Sequence, residues 1–141
     1  MKLELIVVFC SFLIFSKASG AENKKSVVED IIQKGHDYCV KESGVNKDLV
    51  LLAQKDRIYV NNSEFKCYLF CLFTHFKIID KDTGKSTMST FKKSFSKVHL
   101  DKYNPVFENC KVKDFKSKDY CEEAWEYVTT CFVNQPTFTL V

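Results

Sequence analysis

Apolar residues recur at intervals of three and four along most of the chain, the spacing of helices that bury one face. Val27, Val28, Ile31, Ile32, Gly35 and Cys39 predict an amphipathic helix over 24–41, stopped by Ser43-Gly44. Asn46 is an N-cap candidate for a short helix through Gln54, with Asp48 in its first turn. Asn61-Asn62-Ser63 is a polar break in which Ser63 or Asn62 can cap the next helix, 64–79. That segment is apolar almost all round (Phe65, Leu69, Phe70, Leu72, Phe73, Phe76, Ile78, Ile79), the pattern of a buried helix. Asp80-Lys81-Asp82-Thr83-Gly84 reads as a turn. Met88, Phe91, Phe95 and Val98 then give a fourth helix one apolar stripe and a lysine face at 92, 93 and 97. A fifth helix is expected from about Pro105, a favoured first-turn residue, through Cys110. A sixth, over 118–131, buries Tyr120, Cys121, Ala124, Trp125 and Val128, and residues 137–141 read as an extended tail.

The first twenty residues stand apart. Lys2 precedes an apolar run, Leu5–Phe15, and Ala18-Ser19-Gly20 supplies the small residues of a cleavage site. This is the layout of a signal peptide, too short to span a membrane. It predicts an exported, extracellular chain with one domain over 21–141.

Cysteine then dominates the reading. Six cysteines follow the leader, at 39, 67, 71, 110, 121 and 131, separated by gaps of 27, 3, 38, 10 and 9 residues. An even number in a small exported chain predicts three disulfides. Cys67 and Cys71 project from the same side of their helix, so a bond between them would constrain almost nothing. Bonds from each to distant cysteines would tie 64–79 to two other helices and make it the hub of the fold.

Composition supports a helical bundle. After residue 20 there are three glycines and two prolines, too few for a many-stranded sandwich. The fold class expected is therefore all-α, about six helices stapled by three disulfides. Ten Phe, six Tyr and one Trp in the same stretch exceed what a small core needs and favour an apolar cavity. The net charge of +3, with both signs mixed along the chain, calls for no nucleic-acid partner.

Catalytic and metal chemistries fare poorly. Cys67, Cys71 and His75 make a stripe of possible metal ligands, but oxidised thiols bind no zinc and no fourth ligand has suitable spacing. His36-Asp37-Tyr38-Cys39 is similar to the His-Asp-x-Cys of secreted phospholipases A2, whose calcium loop three glycines cannot build. His36 is better read as an exposed residue near a helix end. No nucleophile elbow, zinc motif or phosphate loop is present. The expectation is a non-enzyme without cofactor or metal.

The chain resembles the insect odorant-binding (pheromone-binding) protein family over essentially all of its length after the leader. The likeness rests on the cysteine order with three residues between Cys67 and Cys71, on Glu42-Ser43-Gly44-Val45, and on Phe65-Lys66-Cys67-Tyr68. Asp80 after the hub and Cys121-Glu122-Glu123-Ala124-Trp125 add to it. One departure is visible: nine residues separate Cys121 from Cys131, where the family has eight. On an ideal helix that extra residue turns Cys131 by about 100°, which a bulge or an unwound last turn must absorb. The resemblance implies the pairing Cys39–Cys71, Cys67–Cys121 and Cys110–Cys131. It also implies a carrier of small hydrophobic semiochemicals, monomeric or weakly dimeric, releasing its ligand near an olfactory receptor.

An apolar cavity draws in such ligands by removing their surface from water, and aromatic walls give it shape. The residues expected to line it are Leu69, Phe73 and Phe76 on the hub, Met88, Phe91 and Phe95 on the fourth helix, and Val106 and Phe107 on the fifth. Trp125 and Val128 close the last wall, with Phe132 and Phe138 from a tail that acts as a lid. His75, beside Phe73 and Phe76, is the expected acid sensor among His36, His75 and His99. Asn61 heads the chain's one N-x-S/T acceptor. A different class keeps to the same sequence: a secreted salivary or venom-type factor that captures host amines or lipids or binds a protein partner.

Overall fold

The hub helix carries the architecture. In the computed structural model, which describes residues 27–93 and 96–135, it runs Ser63–His75 and is named α3 here. It is preceded by α1 (Val27–Ser43) and α2 (Lys47–Asp56) and followed by α4 (Met88–Lys93), α5 (Lys97–Asn109) and α6 (Tyr120–Thr130). A short 3-10 turn, Phe132–Asn134, ends the described chain. From Ile31 onward these elements form one compact unit. Among the described residues there is no strand, only a single antiparallel bridge between Ile79 and Ser86. No helix among them is long and apolar enough to cross a membrane.

Local chemistry sets the boundaries. The Asn46 side chain accepts from Asp48 N–H and starts α2, as the sequence predicts. At α3 the cap is Asn62, whose Oδ1 accepts from Phe65 N–H at 2.9 Å. Asp119, unremarked in the sequence reading, caps α6 by accepting from Glu122 N–H. The hub stops at His75, short of the predicted 79, and Lys77 turns the chain with φ 59°. Asp80 then organises the predicted turn. Its Oδ1 accepts from the Thr83 hydroxyl and from the N–H groups of Asp82 and Thr83.

Two helix boundaries differ from expectation. Met88 to Val98 is not one helix, because α4 ends at Lys93 and α5 begins at Lys97 after Ser96 in extended backbone (φ −65°, ψ 154°). Phe91 and Phe107 meet edge to face with centroids 5.5 Å apart, and Lys92 pairs with Glu108 at 3.0 Å. In one continuous helix those residues would be about 24 Å apart. Pro105 accordingly sits inside α5 rather than in its first turn. It is exposed, and so is Asp101, whose carbonyl a proline cannot satisfy, so water can take that bond.

The bridges are Cys39–Cys71, Cys67–Cys121 and Cys110–Cys131. α3 is thus tied to α1 and to α6, as the hub reading requires. The ninth residue before Cys131 is absorbed by unwinding: α6 ends at Thr130, and Cys131 (φ −117°, ψ −63°) leads into the 3-10 turn. α3 and α6 pack along their length, with Phe65 edge-on to Trp125 and Lys66 both paired with Glu122 and placed over the Trp125 ring.

Candidate functional site

The residues predicted to bind ligand mostly gather in the interior. Leu69, Phe73, Phe91, Val106, Phe107, Val128 and Phe132 are buried. Phe76, Met88 and Trp125 are half-buried against them. Phe95 and Phe138, with the proposed tail lid, lie outside the described residues.

Helix geometry explains the gathering. Phe65, Leu69, Phe73 and Phe76 fall at i, i+4, i+8 and i+11 of the hub, one face of a 3.6-residue turn. Phe73 is its centre. Its ring meets Tyr127 edge-on at 5.9 Å, Phe132 at 6.4 Å and Phe115 at 6.0 Å. Tyr127 and Phe132 in turn pack at 5.5 Å. The 3-10 turn after Cys131 therefore delivers Phe132 against the hub, with its start fixed by the Cys110–Cys131 bridge. Phe91 and Phe107 form a second aromatic pair where α4 meets α5. Edge-to-face pairs of this kind add about 0.5–1.5 kcal/mol each beyond their buried area.

Phe76 stands at the edge of this group, on the side of α1. It caps the hub and lies against α1 at Gly35, where an added Cβ would come within 2.5 Å of its ring. His75, the expected acid sensor, is exposed at the hub's last position, with its ring 5.1 Å from Tyr38 and 5.3 Å from Phe76. The His99 side chain lies outside the described residues.

The polar feature of the interior is one that the sequence reading placed at the surface. His36 is only 4% exposed, and its Nδ1 lies 2.5 Å from the Tyr68 hydroxyl. The correction follows from the register of α1. Gly35, His36 and Cys39 face the hub, while Ile31 and Ile32 are exposed, so the buried stripe is polar at one position and glycine at another. Burial pulls the His36 pKa down, against the smaller pull of the Asp37 charge. Burial also pushes the Tyr68 hydroxyl up, so it keeps its proton at neutral pH. The Tyr127 hydroxyl, likewise pushed up by burial, donates to the Cys110 carbonyl next to the last bridge.

Sequence reasoning placed Phe65 on the buried hub but left it out of the ligand set, and it missed Phe115 and Tyr127 as members of this core. Phe65 lies one turn before Leu69 on the same stripe. Phe115 sits in the charged loop Lys111–Lys118, where no periodicity operates; a lone aromatic between lysines is the one available sign.

Among the clefts on the described surface are three that none of the twelve predicted ligand residues lines. One of about 800 Å³ lies between loop residues Lys111–Lys116 and α6. One of about 270 Å³ flanks the Asp80 turn, and one of about 160 Å³ separates α1 from α2. No group of three or more metal-ligating side chains comes together among the described residues. Asn61 is exposed immediately before the Asn62 cap.

The sequence profile of the PBP/GOBP family matches residues 21–135. General odorant-binding protein 69a of Drosophila melanogaster is 25% identical over 114 residues, 81% of this chain and 74% of the relative. General odorant-binding protein 99a of the same organism is 28% identical over 102 residues, 70% of each chain. The crystal structure of the medfly odorant-binding protein CcapOBP22/CcapOBP69a has the same fold, with a TM-score of 0.57 at 24% identity, covering 72% of this chain and 84% of that one. By its six-cysteine helical frame and by this match over most of its length, the chain belongs to the PBP/GOBP family.

Proposed function

We propose that this protein is a secreted carrier that holds small hydrophobic molecules, such as odorants or pheromones, among its buried aromatic residues and delivers them through extracellular fluid. The observation that carries the reading is the convergence of α3, α5, α6 and the last turn on Phe73, Phe107, Val128 and Phe132, within a frame closed by three bridges. Burying a ligand's apolar surface there supplies about 25 cal/mol per Å². The twelve predicted residues are the proposed lining, Phe95 and Phe138 included. Residues 1–20 are the proposed export signal, Asn61 a glycan acceptor, and an olfactory receptor the site of release. Binding and release need no catalytic group, so the protein is read as a carrier and not an enzyme.

The test is displacement of an apolar fluorescent probe, N-phenyl-1-naphthylamine, from the oxidised protein. Saturable probe binding, reversed by odorant-sized apolar molecules and weakened by Phe107→Ala, is the expected result. A folded protein that binds no probe would overturn the carrier reading.

A further inference from the structure

The cleft between α1 and α2 has the chemistry of a second, smaller binding site. Val40, Val50 and Leu51 give it apolar walls, and Gln33, His36, Asp37, Lys47 and Gln54 supply polar groups. Its volume of about 160 Å³ is that of roughly five waters, room for a short aliphatic molecule. None of its residues is among the twelve proposed to line the aromatic interior.

His36 decides what could bind. It lines the cleft although it is almost fully buried, and Nδ1 is committed to Tyr68, so Nε2 is the ring nitrogen left to meet a ligand. Asp37, the next residue, accepts from Gln33 Nε2 on Oδ1 at 3.1 Å, which leaves Oδ2 as an acceptor. A hydroxyl suits this pair in either imidazole tautomer. If Nε2 carries the proton, the hydroxyl oxygen accepts from it and the hydroxyl donates to Asp37. If Nδ1 carries the proton, the hydroxyl donates to Nε2. Asp37 and Lys47 set opposite charges at the cleft, so a charged ligand gains one attraction against one repulsion and loses its own hydration, whereas a neutral hydroxyl avoids both costs. We propose that the α1–α2 cleft is a separate site for small aliphatic molecules bearing a hydroxyl, held by His36 and Asp37 over Val40, Val50 and Leu51.

The experiment titrates 1-butanol, butyrate and butylammonium into isotope-labelled protein and follows the Val40, Val50 and Leu51 methyls and the His36 ring by NMR. Saturable shifts with 1-butanol are expected, with the two charged analogues weaker by about tenfold or more, the loss of one hydrogen bond to a charged group. Asp37→Asn should weaken 1-butanol by a similar factor. Leu51→Trp, at an exposed position on the cleft, should abolish the shifts while N-phenyl-1-naphthylamine still binds; Gln54→Trp repeats the block from the other side. Shifts that never saturate, that favour a charged analogue, or that appear at Phe73, Phe91 and Phe107 with the cleft unmoved would overturn the proposal. Because the naphthylamine reports on the interior alone, failure of this site and failure of the carrier reading give different results.

Discussion

His36 on α1 and Tyr68 on the hub are joined by a 2.5 Å hydrogen bond in a region both residues leave almost no surface to water. One bridge, Cys39–Cys71, ties the same two helices covalently one turn further along. The pair is therefore the polar half of a two-part clasp. Protonating the ring would turn Nδ1 into an obligatory donor and add a charge where burial opposes it.

Acid should consequently loosen the protein through His36. Above about pH 6.5 the residue is neutral in both folded and unfolded chains, and its contribution is intact. As pH falls through that value the unfolded chain takes up the proton first, because the folded pKa is lowered, and stability declines until the folded pKa is passed. Asp37 partly offsets the effect, while Tyr68 keeps its proton throughout. Glu64, Asp80 and Glu108 are held below the usual carboxylate range by the Glu64 N–H, the Thr83 hydroxyl and Lys92 respectively, so they titrate further down. Urea unfolding between pH 8 and 5.5 avoids the carboxylates, and comparison with His36→Gln, which should flatten the slope, separates His36 from His75 and His99. An unchanged slope in that variant would remove His36 as the acid-sensitive group. Tyr68→Phe should cost about 1–3 kcal/mol at pH 8 by leaving Nδ1 buried and unbonded.

Two glycines with the same left-handed backbone should respond differently to alanine. Gly84 (φ +68°) closes the Asp80 turn, and a Cβ there would lie 2.9 Å from the Phe115 carbonyl oxygen and from the Tyr120 ring. That carbonyl cannot retreat easily, since Phe115 N–H donates to the Gly84 carbonyl at 2.7 Å. Gly44 (φ +70°) has nothing within 4 Å. Gly44→Ala should cost only the left-handed strain, about 1–2 kcal/mol. Gly84→Ala adds about 1–3 kcal/mol of overpacking. Equal melting temperatures for the two variants would refute the assignment of Gly84 as a packing contact.

Those turns were legible in the sequence because glycine and Asx chemistry act locally, as do the Asn46 cap and the small-residue stop after α1. The family was legible from the cysteine order and the short motifs around it, and the pairing came only as what that resemblance implies. Periodicity failed where phase carried across a break. Met88, Phe91, Phe95 and Val98 keep one stripe whether or not the helix stops, and only the extended backbone at Ser96 shows that it does. His36 failed differently. A histidine between glycine and aspartate carries no sign of the Tyr68 hydroxyl that waits for it 32 residues later. Ten of the twelve residues expected to line a cavity lie in or against the core, picked out by stripe and by ring count, while Phe95 and Phe138 lie outside the described residues. Which of them touch ligand depends on packing that no local rule encodes.

The three bridges should contribute unequally. They span 54, 32 and 21 residues for Cys67–Cys121, Cys39–Cys71 and Cys110–Cys131. Loop-closure entropy then assigns about 4, 3.7 and 3.3 kcal/mol in that order, a model-dependent scale. Replacing each pair by alanine and measuring unfolding should reproduce the ranking, and non-reducing peptide maps of the native protein should show no free thiol. A dominant Cys67–Cys71 linkage in those maps would contradict the hub.

The last expectation concerns residues 136–141, whose Phe138, Leu140 and Val141 are apolar. The described chain ends at Gln135, just before them. The Gln135 carbonyl accepts from the Arg57 guanidinium, and Arg57 is itself fixed in left-handed backbone as the C-cap of α2. Phe132, three residues earlier, is buried against Phe73 and Tyr127. The chain is thus pinned at Gln135, just before this apolar stretch of sequence. The expectation read from the sequence, that the stretch acts as a lid over bound ligand, is tested by removing it. Truncation after Gln135 keeps Phe132, the Arg57 contact and all three bridges, so the shortened protein should unfold within about 0.5 kcal/mol of the full chain, the scatter of changes made away from the core. It should bind N-phenyl-1-naphthylamine more weakly and release it faster in stopped flow. Phe138→Ala should reproduce most of that change if the ring is the part that closes the site. Unaltered affinity and unaltered release in the truncated protein would show that the segment plays no part in holding ligand.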